Sequence, residues 1–568
     1  MRNILILILF NYLIINLSTA QNRPIGTNLA GISDWSSELT FVDLMKSSRN
    51  WINHEGSGSS WNSGVSIPLD SNGYPLEIPY NNGINPPQYT RTILLHNSLQ
   101  NLYPSGNYRL IVNGTGKIRF WNIVNLTISC PIDTFIYIDN STANDLFLEI
   151  EESNVNNHIN KINFIMPSHA NTYLSQPFHP ELIKFTNNFQ TVRFMDKMRT
   201  NETVIINWED RSTTTDFTQA LSNGIAYEYI IEYCNANKVN PWICIPHQAT
   251  DQFIINFAQF FRDNLDSDLK VYVEYSNEVW NSIFPANTYV NNMGANLGYS
   301  GNPWEQGWKY YAKRCADIFS IFENEYTDNN RFVKVISSQA ANDWLSNQIL
   351  IHFNDPIYNP NQITADAFAI APYFGGGIAD DIGNANLINS ITVANIIDSL
   401  TNSMNQSFSW IDNQNTVANN HNLDLIAYEG GQHLVTYNYN NDNYFVSLLA
   451  DVNRHPYMEN LYCQMFDYWY SKSNTGLFCN FSSHGNWGTY GYWGVKENYS
   501  DTLSPKYLGL TNCVFNYNPI SAITNLSIKK KELFKIVDLL GRETTPKNNA
   551  LLFYIYNDGT VEKKIILE

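Results

Sequence analysis

Two glutamates, far apart in the chain, each follow a short apolar stretch. Residues 270–280 open as a run of β-branched and aromatic side chains, which is typical of a buried strand, and then reach Asn277 and Glu278. Residues 423–433 repeat this arrangement, with Glu429 followed by two glycines that allow a sharp turn. Hydrolysis of a glycosidic bond requires two carboxyl groups that flank the bond. The two glutamates are therefore candidate catalytic residues for that reaction.

A barrel of parallel strands is the fold that would place these glutamates together. From about residue 168 to 519, strand-like runs alternate with amphipathic helical runs, as in successive βα units. With a first strand near the mature N-terminus the series reaches eight, the last predicted at residues 462–469. Eight βα units close into a barrel whose C-terminal strand ends carry the chemistry. The predicted fold class is α/β, a (β/α)8 TIM barrel, with Glu278 after strand four and Glu429 after strand seven.

Smaller β units are predicted to interrupt and to follow this barrel. Residues 64–167 contain short strands with turn signals and hardly any helical period, which indicates a small β-sandwich. It would lie between the first and second barrel strands and would either bind carbohydrate or form a wall of the cleft. The barrel would then comprise residues 21–63 and 168–519, and residues 520–568 would form a short separate β unit.

The first residues have the pattern of a secretory signal peptide. A basic start is followed by an apolar segment and by small residues, so residues 1–20 are predicted to be removed. The apolar segment is shorter than the ~20 residues that a membrane-spanning helix needs. We therefore expect an exported protein, secreted or at the cell surface, with no integral membrane segment.

Composition limits the classes of partner. The chain has 568 residues and a formal net charge of −18, which argues against nucleic acid and anionic membranes as partners. Aromatic residues make up 14% of the chain, and their flat faces can stack on sugar rings, although most must belong to the core. We expect a carbohydrate substrate and a monomeric protein.

Metal and cofactor chemistry is not indicated. The seven cysteines form no CxxC pair, the 11 histidines include no HExxH motif, and no GxSxG elbow is present. We expect no cofactor and no metal site. Cys463 and Cys479 flank one predicted loop and are candidates for a disulfide; the odd number of cysteines leaves at least one unpaired.

Taken together, the strand-end residues resemble the large clan of retaining glycoside hydrolases with an eightfold barrel, known as clan A. Asn277 and Glu278 at strand four, Glu429 at strand seven, Arg193 on strand two and Tyr373 at strand six carry the resemblance, which covers about 400 residues. It implies that Glu278 is the general acid and then the general base, and that Glu429 is the nucleophile. The carboxyl groups would be ~5–5.5 Å apart. Arg193 and Tyr373 would hold Glu429 ionised, and Asn277 would bind a sugar 2-hydroxyl.

Further strand-end and neighbouring side chains are candidate substrate ligands, although each alone has an ordinary structural explanation as a core residue or an ion-pair partner. They are His247, Gln432, His433, Trp469, Asp34 and Trp35, with Trp487 and Trp493 as additional aromatic platforms. Glu274 has the same strand parity as Glu278 and is a rival carboxylate. Because it lies deeper in the strand, we interpret it as buried support.

The C-terminal region resembles the sorting domain of the type IX secretion system of Bacteroidetes. Residues 537–542 and the end of the chain, residues 563–567, carry this similarity. The resemblance implies an export address that contacts the secretion machinery and has no catalytic role. The full prediction is a secreted retaining β-glycosidase acting on a polysaccharide or oligosaccharide. The alternative is a non-catalytic cell-surface glycan-binding protein on a glycosidase-like scaffold.

Overall fold

The computed structural model describes residues 23–56, 60–141, 144–517, 533–539, 541–548, 550–556 and 561–565. The predicted signal peptide, residues 1–20, lies outside the described residues. The chain divides into two compact units: residues 23–515 form one, and residues 1–22 and 516–568 belong to the other.

Nineteen strands and eleven α-helices are found in the described residues. The strands are β1 Ile25–Asn28, β2 Ile52–His54, β3 Tyr89–Leu95, β4 Gly106–Asn122, β5 Leu126–Ile138, β6 Leu146–Ser153, β7 Lys161–Ile165, β8 Thr191–Arg193, β9 Asn240–Ile245, β10 Val271–Tyr275, β11 Phe332–Ser337, β12 Ala367–Ile370, β13 Tyr373–Phe374, β14 Asp424–Ala427, β15 Gly431–Gln432, β16 Thr475–Asn480, β17 Leu533–Val537, β18 Leu551–Tyr556 and β19 Val561–Ile565. The helices are α1 Pro180–Thr186, α2 Tyr227–Asn237, α3 Asp251–Asn264, α4 Pro285–Asn296, α5 Pro303–Glu325, α6 Asp343–Asn354, α7 Ile378–Asn384, α8 Val393–Asn420, α9 Asn443–Arg454, α10 Tyr457–Tyr470 and α11 Pro505–Leu510.

Eight parallel strands close into a barrel, as the sequence predicts. Around the barrel the order is β1, β8, β9, β10, β11, β12, β14 and β16, and β16 pairs with β1 to complete the ring. Each strand is therefore the neighbour of the next one in the chain, which is the (β/α)8 arrangement. Glu278 follows the fourth strand and Glu429 follows the seventh.

The eighth strand is not where the sequence analysis placed it. Residues 462–469 belong to helix α10, and the barrel is closed by β16, Thr475–Asn480. The buried residues of α10 recur at helical spacing, in the order Met458, Leu461, Tyr462, Met465, Phe466, Trp469. Seven of the eight predicted strands are confirmed, and the prediction for the eighth is wrong because an aromatic-rich run was interpreted as a strand.

Side chains alternate between the barrel interior and the helical layer. The interior holds a small cluster in which the large Trp242 faces small partners such as Ala367 and Ala369. The intervening residues of the same strands, such as Ile243 and Phe368, join the larger core between strands and helices. This period of two places Arg193 and Glu274 inside the barrel, below the C-terminal strand ends.

The inserted β unit begins earlier than predicted. Strand β2 already pairs with β3, so a boundary at residue 64 falls inside the unit. The strands are hydrogen-bonded in one sheet that folds over on itself. Phe120, in the second half of β4, packs on Phe164 of β7, the strand that pairs with the first half of β4. The 17-residue strand β4 makes this arrangement, because β7 pairs with its first half and β6 with its second half, on either side of an irregularity between Val112 and Gly116.

A disulfide joins Cys463 in α10 to Cys513 in the π-helical segment Thr511–Phe515, which follows α11. The predicted partner, Cys479, is a free buried thiol in strand β16, so the predicted pairing is wrong. A loop between two cysteines suggested the pairing, but Cys479 faces the barrel interior, where its sulfur packs against Gly26.

The described part of the C-terminal unit is an antiparallel sheet in the order β17, β18, β19. This fits the prediction of a short C-terminal β unit. Among the described residues, no helix is long and apolar enough to cross a membrane.

Candidate active site

Glu278 lies in a strained turn immediately after strand β10. Ser276 and Glu278 both have positive φ angles, 59° and 41°, in the left-handed region that costs a non-glycine residue of order 1–3 kcal/mol. The turn is closed by a 2.7 Å hydrogen bond from the amide of Asn281 to the carbonyl of Glu278. Such strain concentrates at sites where a side chain is held for function.

Two neutral donors orient the Glu278 carboxyl group. The hydroxyl of Tyr428 donates to Oε1 at 3.0 Å, and Nδ2 of Asn281 donates to Oε2 at 2.8 Å. Both carboxyl oxygens are therefore fixed in direction, and no positive charge contacts them directly among the described residues.

Glu429 follows strand β14 and is held by a cation and a phenol. Nη1 of Arg193 donates to Oε1 at 2.8 Å, and the hydroxyl of Tyr373 donates to Oε2 at 2.9 Å. Tyr373 is in strand β13, which pairs with β15 just beyond Glu429, so a backbone ladder fixes the distance between donor and acceptor. The sequence analysis placed Arg193 and Tyr373 on Glu429, and both contact it.

The two glycines after Glu429 have different roles. Gly431 has a φ of 132°, a conformation that side-chain-bearing residues rarely adopt. Gly430 is required by close packing instead, because a Cβ there would collide with the ring of Phe478. Together they let the chain turn back from strand β14 into strand β15.

Arg193 is the centre of a buried polar network. Its guanidinium is fully buried and donates to Glu274 through Nε and Nη2, at 3.1 and 2.8 Å. It also donates to Oδ1 of Asn277 at 2.8 Å and to Oδ1 of Asn28 at 3.1 Å. A planar guanidinium offers five donors in fixed directions, so this network sets the orientation of the arginine toward Glu429. Glu274 is the buried support that its strand position indicates.

Burial raises the pKa of both candidate catalytic carboxyls. For Glu278, burial is the leading cause, and the hydrogen bonds from Asn281 and Tyr428 oppose it. For Glu429, burial raises the pKa, Arg193 lowers it, and the negative charge of Glu278 raises it again. The pair therefore retains a proton more strongly than two isolated carboxyls would. Arg193 donates directly to Glu429, and its positive charge favours the ionised form of that carboxyl group.

A cavity of about 440 Å³ adjoins Glu278. Its walls include Glu278, Tyr373 and Tyr428 together with the further residues Trp280, Gln339, Trp410 and His433. A cavity of this size accommodates a small ligand or one end of a longer one. The carboxyl group of Glu278 and two of the tyrosines that flank the glutamates thus face the same space.

Of the candidate substrate ligands His433, Gln432 and His247, only His433 lines the cavity beside Glu278. His433 lines the cavity, and its ring packs edge-on against Tyr373 at 5.2 Å between centroids. The side-chain amide of Gln432 is occupied by the backbone, since it donates to the carbonyl of Tyr492 and accepts from the amide of Leu434. His247 borders a separate, open depression beside Gln248 and Tyr289.

Asn277 precedes Glu278 in the chain, and its side-chain amide is already partnered. Its Oδ1 accepts from Arg193, and its Nδ2 donates to Asn201 at 3.0 Å. An amide nitrogen has two hydrogens, and Asn201 takes one of them. Its predicted contact with a sugar hydroxyl stays a prediction.

Two predicted substrate ligands have structural partners, and a third, Trp35, lies against an arginine. Trp469 is fully buried and donates its indole N–H to the carbonyl of Gly476, so it belongs to the core. The carboxyl group of Asp34 is buried in a two-point ion pair with Arg49. Trp35 is 48% exposed and lies under the same arginine, 5.0 Å from ring centroid to guanidinium carbon.

Two residues in direct contact with Glu278 were missed by the sequence analysis. Tyr428 immediately precedes Glu429, and Asn281 follows Glu278 by three residues. The Asn281 spacing is a signal of a tight turn that was available in the sequence. The sequence carries no signal of the contact between Tyr428 and Glu278, because that contact depends on how two distant strands are arranged around the barrel.

Among the residues that the structure describes, no group of three or more His, Cys, Asp or Glu side chains is arranged to hold a metal ion.

No family model matches this chain, and no curated protein matches it. Solved structures with a similar arrangement include native xylanase 10C of Cellvibrio japonicus, 11% identical, with 83% of this chain and 99% of that chain covered and a TM-score of 0.32. The family 1 β-glucosidase of Thermotoga maritima is 12% identical, with 62% of this chain and 88% of that chain covered and a TM-score of 0.32. The catalytic core of a xylanase A is 8% identical, with 59% and 92% covered and a TM-score of 0.34. These identities and TM-scores are too low to indicate the function of this chain.

Proposed function

We propose that this protein is a retaining β-glycosidase that hydrolyses O-glycosidic bonds of a polysaccharide or oligosaccharide. One observation carries the proposal: Glu278 and Glu429 are held by interlocking donors at one end of the barrel, with Arg193 on Glu429 and neutral donors on Glu278. This asymmetry gives two chemically identical side chains different protonation states, which is how an acid and a nucleophile are distinguished.

The proposed reaction proceeds in two displacements. In the first, Glu278 donates its proton to the glycosidic oxygen while a carboxylate oxygen of Glu429 attacks the anomeric carbon. The bond from that carbon to the leaving oxygen breaks, and a glycosyl ester forms on Glu429. In the second, Glu278 removes a proton from water, the water oxygen attacks the anomeric carbon, and the ester bond to Glu429 breaks.

Hydrolysis of a panel of glycans and aryl glycosides tests this function. Wild type is compared with Glu278→Gln and Glu429→Gln, with the exposed Glu209→Gln as the matched control. We expect activity on some of the panel, a loss of at least about 10²-fold in each active-site variant, and wild-type activity in the control. Full activity in both active-site variants would refute the assignment. Binding of glycans without any cleavage would favour the glycan-binding alternative.

Export and sorting remain part of the proposal. The N-terminal pattern supports removal of residues 1–20 during secretion, and the C-terminal motifs support an address for type IX secretion. Expression of the chain with and without residues 520–568 in a Bacteroidetes host tests both points. We expect the full chain outside the cell or on its surface, and the truncated chain retained in the periplasm. Equal export of the two forms would refute the sorting role.

A further inference from the structure

An exposed tryptophan cluster lies at the start of helices α5 and α6. Trp304 and Trp308 are one turn apart in α5 with ring centroids 4.6 Å apart, and Trp308 is 5.6 Å from Trp344 in α6. Trp304 is 43% exposed and Trp344 is 54% exposed. Trp308 is half-buried and packs against the core, and the buried residues Tyr310, Tyr311 and Ala312 follow it in α5. We call Trp304, Trp308 and Trp344 the tryptophan platform.

The platform is at the same end of the barrel as the glutamates. Tyr311, which follows Trp308 by three residues, donates its hydroxyl to Ser337, the last residue of strand β11. Ser346, near the start of α6, donates to Ser338, directly after that strand. Both helices therefore begin beside the C-terminal strand ends, where the cavity opens.

Trp280 connects the platform to the cavity. It lines the cavity together with Glu278, and it also faces Trp308 across a narrow gap beside Tyr311. Trp280 thus borders both the cavity beside Glu278 and a small void that reaches Trp308. Exposed tryptophans are normally few, and a contiguous group of them indicates a binding surface.

The charges near the platform are already partnered within the protein. Glu305 accepts a hydrogen bond from the backbone amide of Asn302 at 2.9 Å, as a helix cap. Lys309 donates to the carbonyl of Ser300 at 2.6 Å. The surface therefore offers flat apolar faces and no unpartnered charge from these two residues, which suits an uncharged ligand with alternating apolar and polar faces, such as a pyranose ring.

We propose that the tryptophan platform is a remote binding site for a neutral glycan chain that extends out of the catalytic cavity past Trp280. This rests on the proposed glycosidase function and narrows it to substrates longer than the cavity alone can hold. One part of a polysaccharide would stack on Trp304 and Trp344 while a bond nearer the other part is positioned at Glu278.

Affinity electrophoresis of the full chain in gels that contain single neutral polysaccharides tests the platform directly. The parent is Glu278→Gln, which avoids digestion of the gel polymer. The test variant adds Trp304→Ala and Trp344→Ala, and the matched control adds Trp61→Ala, a tryptophan of similar exposure, 50%, in the inserted unit. We expect at least one polymer to retard the parent and the control equally, and to bind the test variant about tenfold more weakly, with unchanged circular dichroism and Tm.

Several results would contradict the proposal that the tryptophan platform binds a glycan. These are retardation of the parent by no polymer, equal retardation of the test variant, or a loss of retardation in the Trp61→Ala control instead. A dimeric wild type that becomes monomeric on loss of Trp304 and Trp344, measured by light scattering, would make the surface an interface between copies.

Catalysis is measured separately, as the ratio of kcat/KM on the polymer to kcat/KM on a short aryl glycoside, in chains that retain Glu278. The platform predicts that this ratio falls in the Trp304→Ala, Trp344→Ala variant. If wild type cleaves nothing but the test variant loses retardation, the platform stands and the glycosidase proposal fails. If wild type cleaves and retardation is unaffected by the variant, the glycosidase proposal stands and the platform fails.

Discussion

Tyr428 donates its hydroxyl to Glu278 at 3.0 Å, although it is the residue immediately before Glu429 in the chain. The end of strand β14 therefore contacts one candidate catalytic carboxyl through a side chain and supplies the other directly. Because adjacent residues hold the carboxyl group of Glu278 and supply that of Glu429, the relative position of the two carboxyl groups depends little on the surrounding loops. Tyr428 on Glu278 and Tyr373 on Glu429 should each affect one limb of the pH profile of kcat/KM.

Tyr428→Phe should move the alkaline limb of kcat/KM to higher pH. The Tyr428 hydroxyl stabilises the ionised form of Glu278 and so lowers its pKa; loss of that bond raises the pKa. Glu278 must be protonated for the first step, so activity persists to a pH higher by about one unit. The measurement is a pH series of kcat/KM on an aryl glycoside. A limb that moves to lower pH would contradict the proposed protonation of Glu278.

Tyr373→Phe is the matched change on the other carboxyl and should move the acidic limb. The Tyr373 hydroxyl lowers the pKa of Glu429, so its removal raises that pKa. Glu429 must be ionised to attack, and activity is therefore lost at a higher pH as the solution is acidified, by about one unit. The two variants shift opposite limbs of the profile. If Tyr373→Phe moved only the alkaline limb, the roles of the two glutamates would be reversed.

Arg193→Lys should impair both stability and catalysis. A lysine cannot reproduce the contacts that Arg193 makes with Glu274, Asn277 and Glu429, and it leaves buried carboxylate oxygens unpaired. We expect a loss of about 3–5 kcal/mol in the free energy of unfolding and a fall in kcat of at least about 10²-fold. Urea unfolding and kinetics of the folded variant measure the two effects. Arg49→Lys, at the Asp34 ion pair, is the control and should keep its kcat.

Reduction of the Cys463–Cys513 disulfide should lower stability without changing the chemistry. The bond closes a loop with a sequence separation of 50, for which chain entropy gives about 4 kcal/mol. The Cys513→Ser variant should therefore unfold at a lower temperature and keep its kcat at 25 °C. Peptide mapping should find Cys463 linked to Cys513 and Cys479 as a free thiol; a Cys463–Cys479 peptide would contradict the structure.

The barrel and the two glutamates could be predicted because both depend on local pattern. Strand-like runs that end on a carboxylate can be recognised one at a time, and the closed barrel then places their ends together. The eighth strand was missed because α10 is rich in aromatic residues, which occur in strands as readily as in buried helices. The helical spacing of Met458, Leu461 and Met465 distinguishes a helix from a strand in this segment.

The side chains that complete the site depend on geometry that the sequence does not contain. Whether Tyr428 contacts Glu278 depends on the stagger of strands β10 and β14, which are not neighbours in the barrel. Trp469 was predicted to contact substrate because its segment was interpreted as a strand. Asp34 was predicted to do so because it was placed at a strand end, but strand β1 ends earlier, at Asn28. The partner of Asp34, Arg49, lies 15 residues later and becomes a neighbour only when the chain folds.

Trapping of the glycosyl-enzyme intermediate tests the central claim most directly. A 2-deoxy-2-fluoro glycoside with a good leaving group, built on the sugar that wild type hydrolyses, should accumulate as an ester and be located by peptide mass spectrometry. The account predicts one added sugar, on Glu429, and no label in Glu429→Gln. A label on Glu278 or Glu274, or hydrolysis of the substrate with inversion at the anomeric carbon, would contradict it.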